Sequence, residues 1–418
     1  MKFNRYVFEF HVKDQIYLYN SINGMVCTFE KGNNNDEIDE YFESDKKFLE
    51  ENLFLEECFG EKVSDIVSQI RNKLKYSQRH ASFTIHLTYN CNMKCSYCYQ
   101  NDVKSNLTLS RENEEELYRF LTAVKNANDL IKIDVTFIGG EPVMFSDMML
   151  RIRGKIDEIF KEIEVEYFLV TNGTLLNKNV ALELGRYKWN NIQVTVDGSR
   201  EIHDKFRMYM NNNGTFDDIV ANIKICQELL LPVVINCNVS RYTYKYIEDL
   251  LQYLKSNNIQ VPVYFSYIFE CEGDASKSNS KDDFEQSIWY EVHHIAMKYG
   301  YKYDPFYRLA YMLCGSSKVN DYVISPTGDL YKCISGVGNQ KFYVGHMRDY
   351  NTWPYIHRLA QFIEIDNMSE KCYNCKYEVV CGGWCSYKKM VYGDYCAYKE
   401  LQNNDLRMLE DFLLWEQE

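Results

Sequence analysis

The chain has 418 residues, with 47 Lys and Arg against 60 Asp and Glu, for a net charge of −13. That acidity excludes a basic nucleic-acid binder. The start MKFNRYVFEFHVKDQ sets charges where a signal peptide needs an apolar core, and a run such as LLLPVVI falls far short of the ~20 apolar residues of a membrane span. A cytoplasmic protein of about two or three domains, with no membrane or nucleic-acid partner, is expected. In that compartment fifteen cysteines point to metal or redox chemistry rather than disulfides.

In chain order, the first segment predicts short strands at Tyr6–Val12, Gln15–Tyr19 and Met25–Phe29. A polar stretch Lys31–Asp36 follows, then helical segments around Glu37–Glu50 and Glu61–Leu74. Strands followed by helices make a small α+β unit over residues 1–80.

From residue 81 the pattern changes to strand, helix, strand. Beta-rich runs at Phe83–Thr88, Lys132–Ile138, Val165–Thr171, Asn191–Val196, Pro232–Val239 and Val261–Tyr267 are separated by amphipathic stretches such as Arg111–Val124 and Asn177–Tyr187. Six strands alternating with helices require parallel pairing through crossovers. Sites on such sheets form at the carboxyl ends of strands, so the residues just after each run are the candidates.

The first run leads into Cys91-Asn-Met-Lys-Cys95-Ser-Tyr-Cys98. Three thiolates on one loop can hold three irons of a cubane cluster and leave the fourth without a protein ligand; the other reading is a zinc site completed by a distant His or Cys. After the second run comes Gly139-Gly140-Glu141-Pro142, after the third Thr171-Asn172-Gly173, and at the fourth Thr195-Val196-Asp197. Glycines permit close backbone approach to a ligand, and Pro142 sets the chain into a helix. Further on, Arg207 offers a charge-assisted partner for a carboxylate, or a surface ion pair with Asp204.

Seven cysteines crowd the last third: Cys314, Cys333, Cys372, Cys375, Cys381, Cys385 and Cys396. Seven do not suit one zinc ribbon. Between the first two, the apolar Tyr322-Val-Ile, the turn Pro326-Thr-Gly328-Asp and Leu330-Tyr-Lys predict a hairpin that brings Cys314 and Cys333 together. Cys27, Cys58, Cys226, Cys237 and Cys271 stand alone and read as small buried hydrophobes.

Together the C-x3-C-x2-C loop, the GGEP segment and the strand–helix alternation resemble the radical SAM superfamily. The resemblance implies a partial (β/α)6 barrel over residues 81–270 and S-adenosylmethionine as cofactor. Cys91, Cys95 and Cys98 would be the ligands of the catalytic cluster, with the backbone beside Tyr97 at the adenine. Gly139, Gly140, Glu141 and Pro142 would receive the methionine amino group. Thr171, Asn172, Thr195, Asp197 and Arg207 are further candidate contacts, Thr195 standing where relatives often have Ser.

The C-terminal spacing resembles the SPASM extension, placed at 305–418 after a helical linker at 271–304. That resemblance implies two auxiliary clusters, so three [4Fe-4S] clusters in all. Cys372, Cys375, Cys381 and Cys396 would hold cluster II, and Cys314, Cys333 and Cys385 cluster I. Relatives with a fully ligated cluster I carry a further Cys shortly after the first, whereas this chain has Gly315–Asn320, leaving water, Asn320 or Cys271 to fill the place.

The N-terminal unit resembles the leader-peptide recognition element of peptide-modifying radical SAM enzymes, which adds a peptide to a sheet edge; the alternative is a structural cap. The implied activity is maturation of a ribosomally made precursor peptide, with a leader, to a Cys-derived thioether of the sactipeptide or ranthipeptide kind. Electrons would come from a reducing protein such as flavodoxin or ferredoxin. Anaerobic sulfatase-maturating and carbon–carbon crosslinking enzymes share the first steps. The former carry a catalytic Asp after the G-x4-C cysteine, where this chain has Ile334.

Overall fold

The computed structural model describes residues 2–30, 45–55, 62–240, 242–268, 284–301, 313–364, 372, 375–381 and 385–392. The polar stretch after the third expected strand, most of the first expected helix, Cys58, Cys271 and Cys396 lie outside them.

Strands β1 (Val7–Val12), β2 (Gln15–Asn20) and β3 (Met25–Glu30) form an antiparallel sheet in that order. One face, with Val7, Ile16, Leu18 and Cys27, packs on Leu49, Phe54 and Leu55 around the short helix α1 (Lys46–Glu51). A second helix, α2 (Lys62–Lys75), follows.

The strands β4 (His80–His86), β5 (Lys132–Ile138), β6 (Glu164–Thr171), β7 (Asn191–Thr195), β8 (Val233–Val239) and β9 (Val263–Tyr267) pair in parallel in sequence order, which is the partial (β/α)6 barrel. The crossovers include α3 (Arg111–Ala127), α4 (Ser146–Ile159), α5 (Lys178–Leu184), α6 (Arg200–Phe206), α7 (Phe216–Glu228) and α8 (Ile247–Ser256). Ser110 caps α3, its hydroxyl accepting from the Asn113 amide.

Alternation decides the two faces of the sheet. On β4, Ala81, Phe83 and Ile85 join the core with Phe120 of α3 and Phe160 just past α4, whereas His80, Ser82, Thr84 and His86 alternate to the inner face. On β8, Ile235 and Cys237 are core while Asn236 and Asn238 turn inward.

The hairpin expected within the C-terminal extension adds to the edge of the barrel sheet. β10 (Asp321–Ile324) pairs in parallel with β4, followed by β11 (Asp329–Tyr331) and β12 (Tyr343–His346), so one nine-stranded sheet runs β12-β11-β10-β4-β5-β6-β7-β8-β9. Tyr322 stacks on Phe83 with ring centroids 5.6 Å apart, continuing the barrel's core under the hairpin. Helix α9 (Phe284–Lys298) occupies the expected linker.

Candidate functional site

The loop from Cys91 to Cys98 leaves the carboxyl end of β4 and is fastened by backbone bonds to a segment far along the chain. The Lys94 amide donates to Met208 O and the Ser96 amide to Phe206 O, both at 2.9 Å, and Met210 N donates to Asn92 O at 3.2 Å. Met93 is fully buried and pins the loop between its cysteines. Because residues 206–210 form the other side of this pairing, Arg207 is delivered to the cysteines by main-chain geometry.

The same economy explains the two glycines. Gly140 N donates to Thr88 O and Glu141 N to Asn90 O, each at 2.8 Å, so the GGEP segment lies against the strand entering the cysteine loop. A Cβ on Gly139 would sit 2.4 Å from Thr88 O and one on Gly140 2.1 Å from Asn90 O, and Gly139 has φ +154°. No side chain fits at either place. The Glu141 carboxylate faces the neighbouring strand: it accepts from Thr171 Oγ1 at 2.6 Å, Asn172 N at 2.7 Å and Val143 N at 3.0 Å. It is fully buried, and burial raises its pKa against these donors. Pro142 begins the short helical turn that follows.

Asn172 reaches the cysteine loop, its Nδ2 donating to Asn92 Oδ1 at 2.9 Å and lying 3.8 Å from Cys91 Sγ. The Met93 amide points to the same sulfur at 3.4 Å. Burial pushes the Cys91 thiol up to about 11 and raises Cys98, and each feels Cys95 as a further negative neighbour, so the three sulfurs share one site.

Arg207 completes it. Burial lowers the pKa of the guanidinium, but Cys95, Asp197, Cys98 and Cys91 outweigh it and hold the group more firmly protonated than usual. Its Nη1 donates to the Tyr97 hydroxyl at 3.1 Å, and Nε stands 4.0 Å from Asp197 Oδ2. Tyr97 also donates to Asp197. The alternative pairing with Asp204 is not formed: Asp204 Oδ1 accepts from the Thr215 and Phe216 amides at 2.7 and 2.9 Å.

Asp197 is fully buried, which pushes its pKa up to about 6 against Arg207 and Asn238. Thr195 lies buried at the end of β7, opposite Asn236. His203 is structural: the Asp197 amide donates to its Nδ1 at 3.1 Å, and its Nε2 meets Thr215 Oγ1 at 3.0 Å.

Sequence reasoning missed the inner-face residues of the last two strands. Asn238 N donates to Asp197 Oδ1 at 2.8 Å, its side-chain amide is 3.5 Å from the Tyr97 hydroxyl, and Ser266 donates to Asn236 Oδ1 at 2.5 Å. The available signal was a pair of polar residues at alternate positions in the apolar run Val233-Val-Ile-Asn-Cys-Asn-Val239.

A second cysteine group gathers under the hairpin. Gly328, with φ +89°, makes the turn between β10 and β11. Burial pushes the Cys333 thiol up to about 12, and Cys314 and Cys385 press it further; Cys385 is likewise raised by burial and then by Cys314. Cys333 and Cys385 pack against the same core, and Cys314 bears on both electrostatically. Lys332 is buried beside them, its ammonium held by the carbonyls of Lys318, Val319 and Asp321, and burial lowers its pKa to about 8.

Asn320 is committed elsewhere, donating to Ser77 O at 3.0 Å and Asn128 Oδ1 at 2.8 Å and accepting from Tyr322 at 3.2 Å. Cys372 and Cys375 face one turn, the Cys375 amide donating to Cys372 O at 3.0 Å, and Cys381 ends the helix Glu378–Cys381.

Both donor sets fit iron–sulfur clusters. Thiols that burial holds protonated become ligands once metal charge displaces the proton. Ligands of a four-iron cube each take a separate iron.

Residues 85–254 match the radical SAM superfamily model. Residues 85–254 thus form a radical SAM domain, which implies S-adenosylmethionine and a [4Fe-4S] cluster, and the peptide-modifying relatives support an S-adenosylmethionine-dependent enzyme. It is similar to the cysteine-type anaerobic sulfatase-maturating enzyme of Clostridium novyi (strain NT), 25% identical over 335 residues that cover 72% of this chain and 86% of that protein. The antilisterial bacteriocin subtilosin biosynthesis protein AlbA of Bacillus subtilis (strain 168) is 26% identical over 73% of this chain and 66% of its own length.

Among solved structures, native anSMEcpe with bound AdoMet and Kp18Cys peptide superposes with a TM-score of 0.63 at 20% identity, covering 81% of this chain and 97% of that one. Streptococcus suis SuiB bound to precursor peptide SuiA gives 0.55 at 14%, covering 93% and 96%. At these identities the likeness is one of fold. No helix among the described residues is long and apolar enough to cross a membrane.

Proposed function

We propose that the chain matures a ribosomally made precursor peptide by forming a Cys-derived thioether. The observation that carries this reading is the gathering of Cys314, Cys333 and Cys385 beside Lys332, while Asn320 is held by the barrel. A three-cysteine site leaves one position for a thiolate from the substrate, and the nearby ammonium favours that negative charge. The similarity to a bacteriocin biosynthesis protein and to enzymes seen with bound peptides supports a peptide substrate.

Cys91, Cys95 and Cys98 would hold the catalytic cluster. Bound there with S-adenosylmethionine, it supplies the carbon radical that removes a hydrogen atom from the peptide. Arg207 and the Thr195 hydroxyl would meet the methionine carboxylate, the backbone at Gly139–Pro142 would take the amino group, the backbone beside Tyr97 would meet the adenine, and Thr171, Asn172 and Asp197 would be further contacts. Cys372, Cys375, Cys381 and Cys396 would hold a second auxiliary cluster, giving three in all. A reducing protein such as flavodoxin or ferredoxin would supply electrons, and the sheet β1–β3 would engage the leader along an edge.

The test is product mass. A thioether product is about two mass units lighter per crosslink, and alkylating the substrate cysteines beforehand stops its formation, because only a free thiolate ligates iron. Mass loss that persists when every substrate cysteine is changed to alanine refutes the thioether and points to carbon–carbon coupling. The similarity to sulfatase-maturating enzymes favours a second reading, oxidation of a single cysteine to an aldehyde. Ile334 stands where that chemistry has its Asp, so the thioether reading is preferred.

A further inference from the structure

The N-terminal sheet meets the segment that follows Cys375. The Tyr6 hydroxyl, just before β1, donates to Glu378 Oε2 at 2.8 Å, and both residues are buried. Two residues on, the Phe8 ring meets Tyr377 edge-on with centroids 5.0 Å apart, and Lys376 Nζ stands 4.5 Å from the centre of the same ring. Three successive residues, 376 to 378, thus contact the first turn of the N-terminal sheet. They directly follow Cys375.

Backbone bonds run from Cys375 N to Cys372 O at 3.0 Å and from Glu378 N to Cys375 O at 3.1 Å, so residues 376 to 378 continue directly from the two cysteines. Partners of the residues beside a metal ligand orient that ligand. The sheet needs the contact equally. Its second face buries Phe8, Phe10, Val12, Tyr17 and Tyr19, and among the described residues Tyr377 is the only member of that cluster from outside the sheet. Five large side chains on one face of a three-stranded sheet are not covered by the sheet itself.

We propose that Tyr6 and Phe8 are positioning residues for the Cys372–Cys375 turn, so that the N-terminal sheet and the second auxiliary cluster site form one structural unit. This rests on the reading of Cys372 and Cys375 as cluster ligands. The phenol holds the Glu378 carboxylate, the Phe8 ring holds Tyr377 and Lys376, and strain on β1 passes to the two sulfurs through three residues of backbone. A peptide docked on the sheet would then be sensed at the cluster.

The experiment is iron retention under chelator challenge of the full-length, anaerobically reconstituted protein, with the EPR spectrum of the reduced state recorded in parallel. Wild type is expected to keep all its iron under conditions in which Tyr6→Phe with Phe8→Leu loses about a third, one cluster of three. The EPR component assigned to the second auxiliary cluster should change already in Tyr6→Phe alone, which keeps the ring and folds normally. A folded variant with full iron and an unchanged spectrum, even at lower melting temperature, overturns the proposal. Cys372→Ala with Cys375→Ala separates the underlying reading: unchanged iron there removes the ligand assignment and the proposal together, whereas loss there with retention in the Tyr6 and Phe8 variants removes the proposal alone.

Discussion

Arg207 and Tyr97 are joined by a 3.1 Å hydrogen bond, although they lie on opposite sides of the cysteine loop's backbone pairing. The bond makes the loop and the Asp197 strand end one electrostatic unit: a permanent cation, a buried carboxylate and three thiols. Replacing Arg207 with Met leaves Asp197 buried without its cation, and the carboxyl, already at about 6, rises further. Breaking a buried pair of this kind costs about 3 kcal/mol of folding stability. S-adenosylmethionine affinity should fall at least about tenfold, the worth of one charge-assisted hydrogen bond. Both are measurable, by urea unfolding and by equilibrium binding. If Arg207 contributes only through Asp197, the variant Asp197→Asn with Arg207→Met will bind no worse than Asp197→Asn alone.

Gly140 tests the backbone argument. An alanine there puts a methyl group 2.1 Å from Asn90 O, so two chain segments must separate. The expected loss is about 1–3 kcal/mol, the usual range for overpacking, together with weakened iron retention at Cys91, because the bonds Gly140 N to Thr88 O and Glu141 N to Asn90 O anchor the approach to that cysteine. An alanine variant with wild-type melting and full iron would refute the close-approach explanation.

Much of this was legible in the chain. The barrel strands alternate in burial as their residues alternate in polarity, and every expected strand from Lys132 to Tyr267 appears within two residues of its predicted ends. Motif order was equally readable, since the cysteine loop, the GGEP turn and the Thr171–Asn172 turn each follow a strand. The fusion of the hairpin to the barrel was not, because it depends on backbone bonds such as Val319 N to Lys75 O and Ser82 N to Asn320 O, which leave no trace in residue type. The choice of Asp197 over Asp204 as the partner of Arg207 was hidden for a similar reason. Both carboxylates are near in sequence, and only the burial of one and the amide bonds of the other separate them.

Acid stability follows from two buried imidazoles. Burial holds His86 neutral, with its pKa lowered to about 3, and lowers that of His203 well below the ordinary value. In the unfolded chain each takes up a proton near about pH 6.5, so below that value the unfolded state binds more protons and stability falls as pH falls. Asp197, raised to about 6, acts in the opposite sense as pH drops, and so do the buried carboxyls of Glu141 and Asp321, which burial also raises. The two histidines by themselves contribute a loss of about 2.5 kcal/mol between about pH 7.5 and 5.5, which the carboxyls offset in part. Urea midpoints of the cluster-free protein across that range measure it, and His86→Gln should roughly halve the histidine share. A His86→Gln profile with the same slope as wild type would show that this ring gains its proton in the folded state as well.

The role of Asn320 separates a cluster ligand from a structural strut. Its side-chain amide donates both hydrogens, to Ser77 O and Asn128 Oδ1, and its oxygen accepts from the Tyr322 hydroxyl, so the residue ties β10 to the chain entering β4 and to the end of α3. Asn320→Ala removes three bonds at a buried position and takes a donor from the Ser77 carbonyl and from Asn128 Oδ1. A cost of about 1–3 kcal/mol follows from stranding such groups. Cys314, Cys333 and Cys385 keep their places through the hairpin and Lys332, so iron content and the EPR spectrum of the first auxiliary cluster should not change. A shifted spectrum or the loss of one cluster's iron in Asn320→Ala would make the asparagine a ligand, close the vacant position at that site, and with it remove the basis for binding a substrate thiolate there.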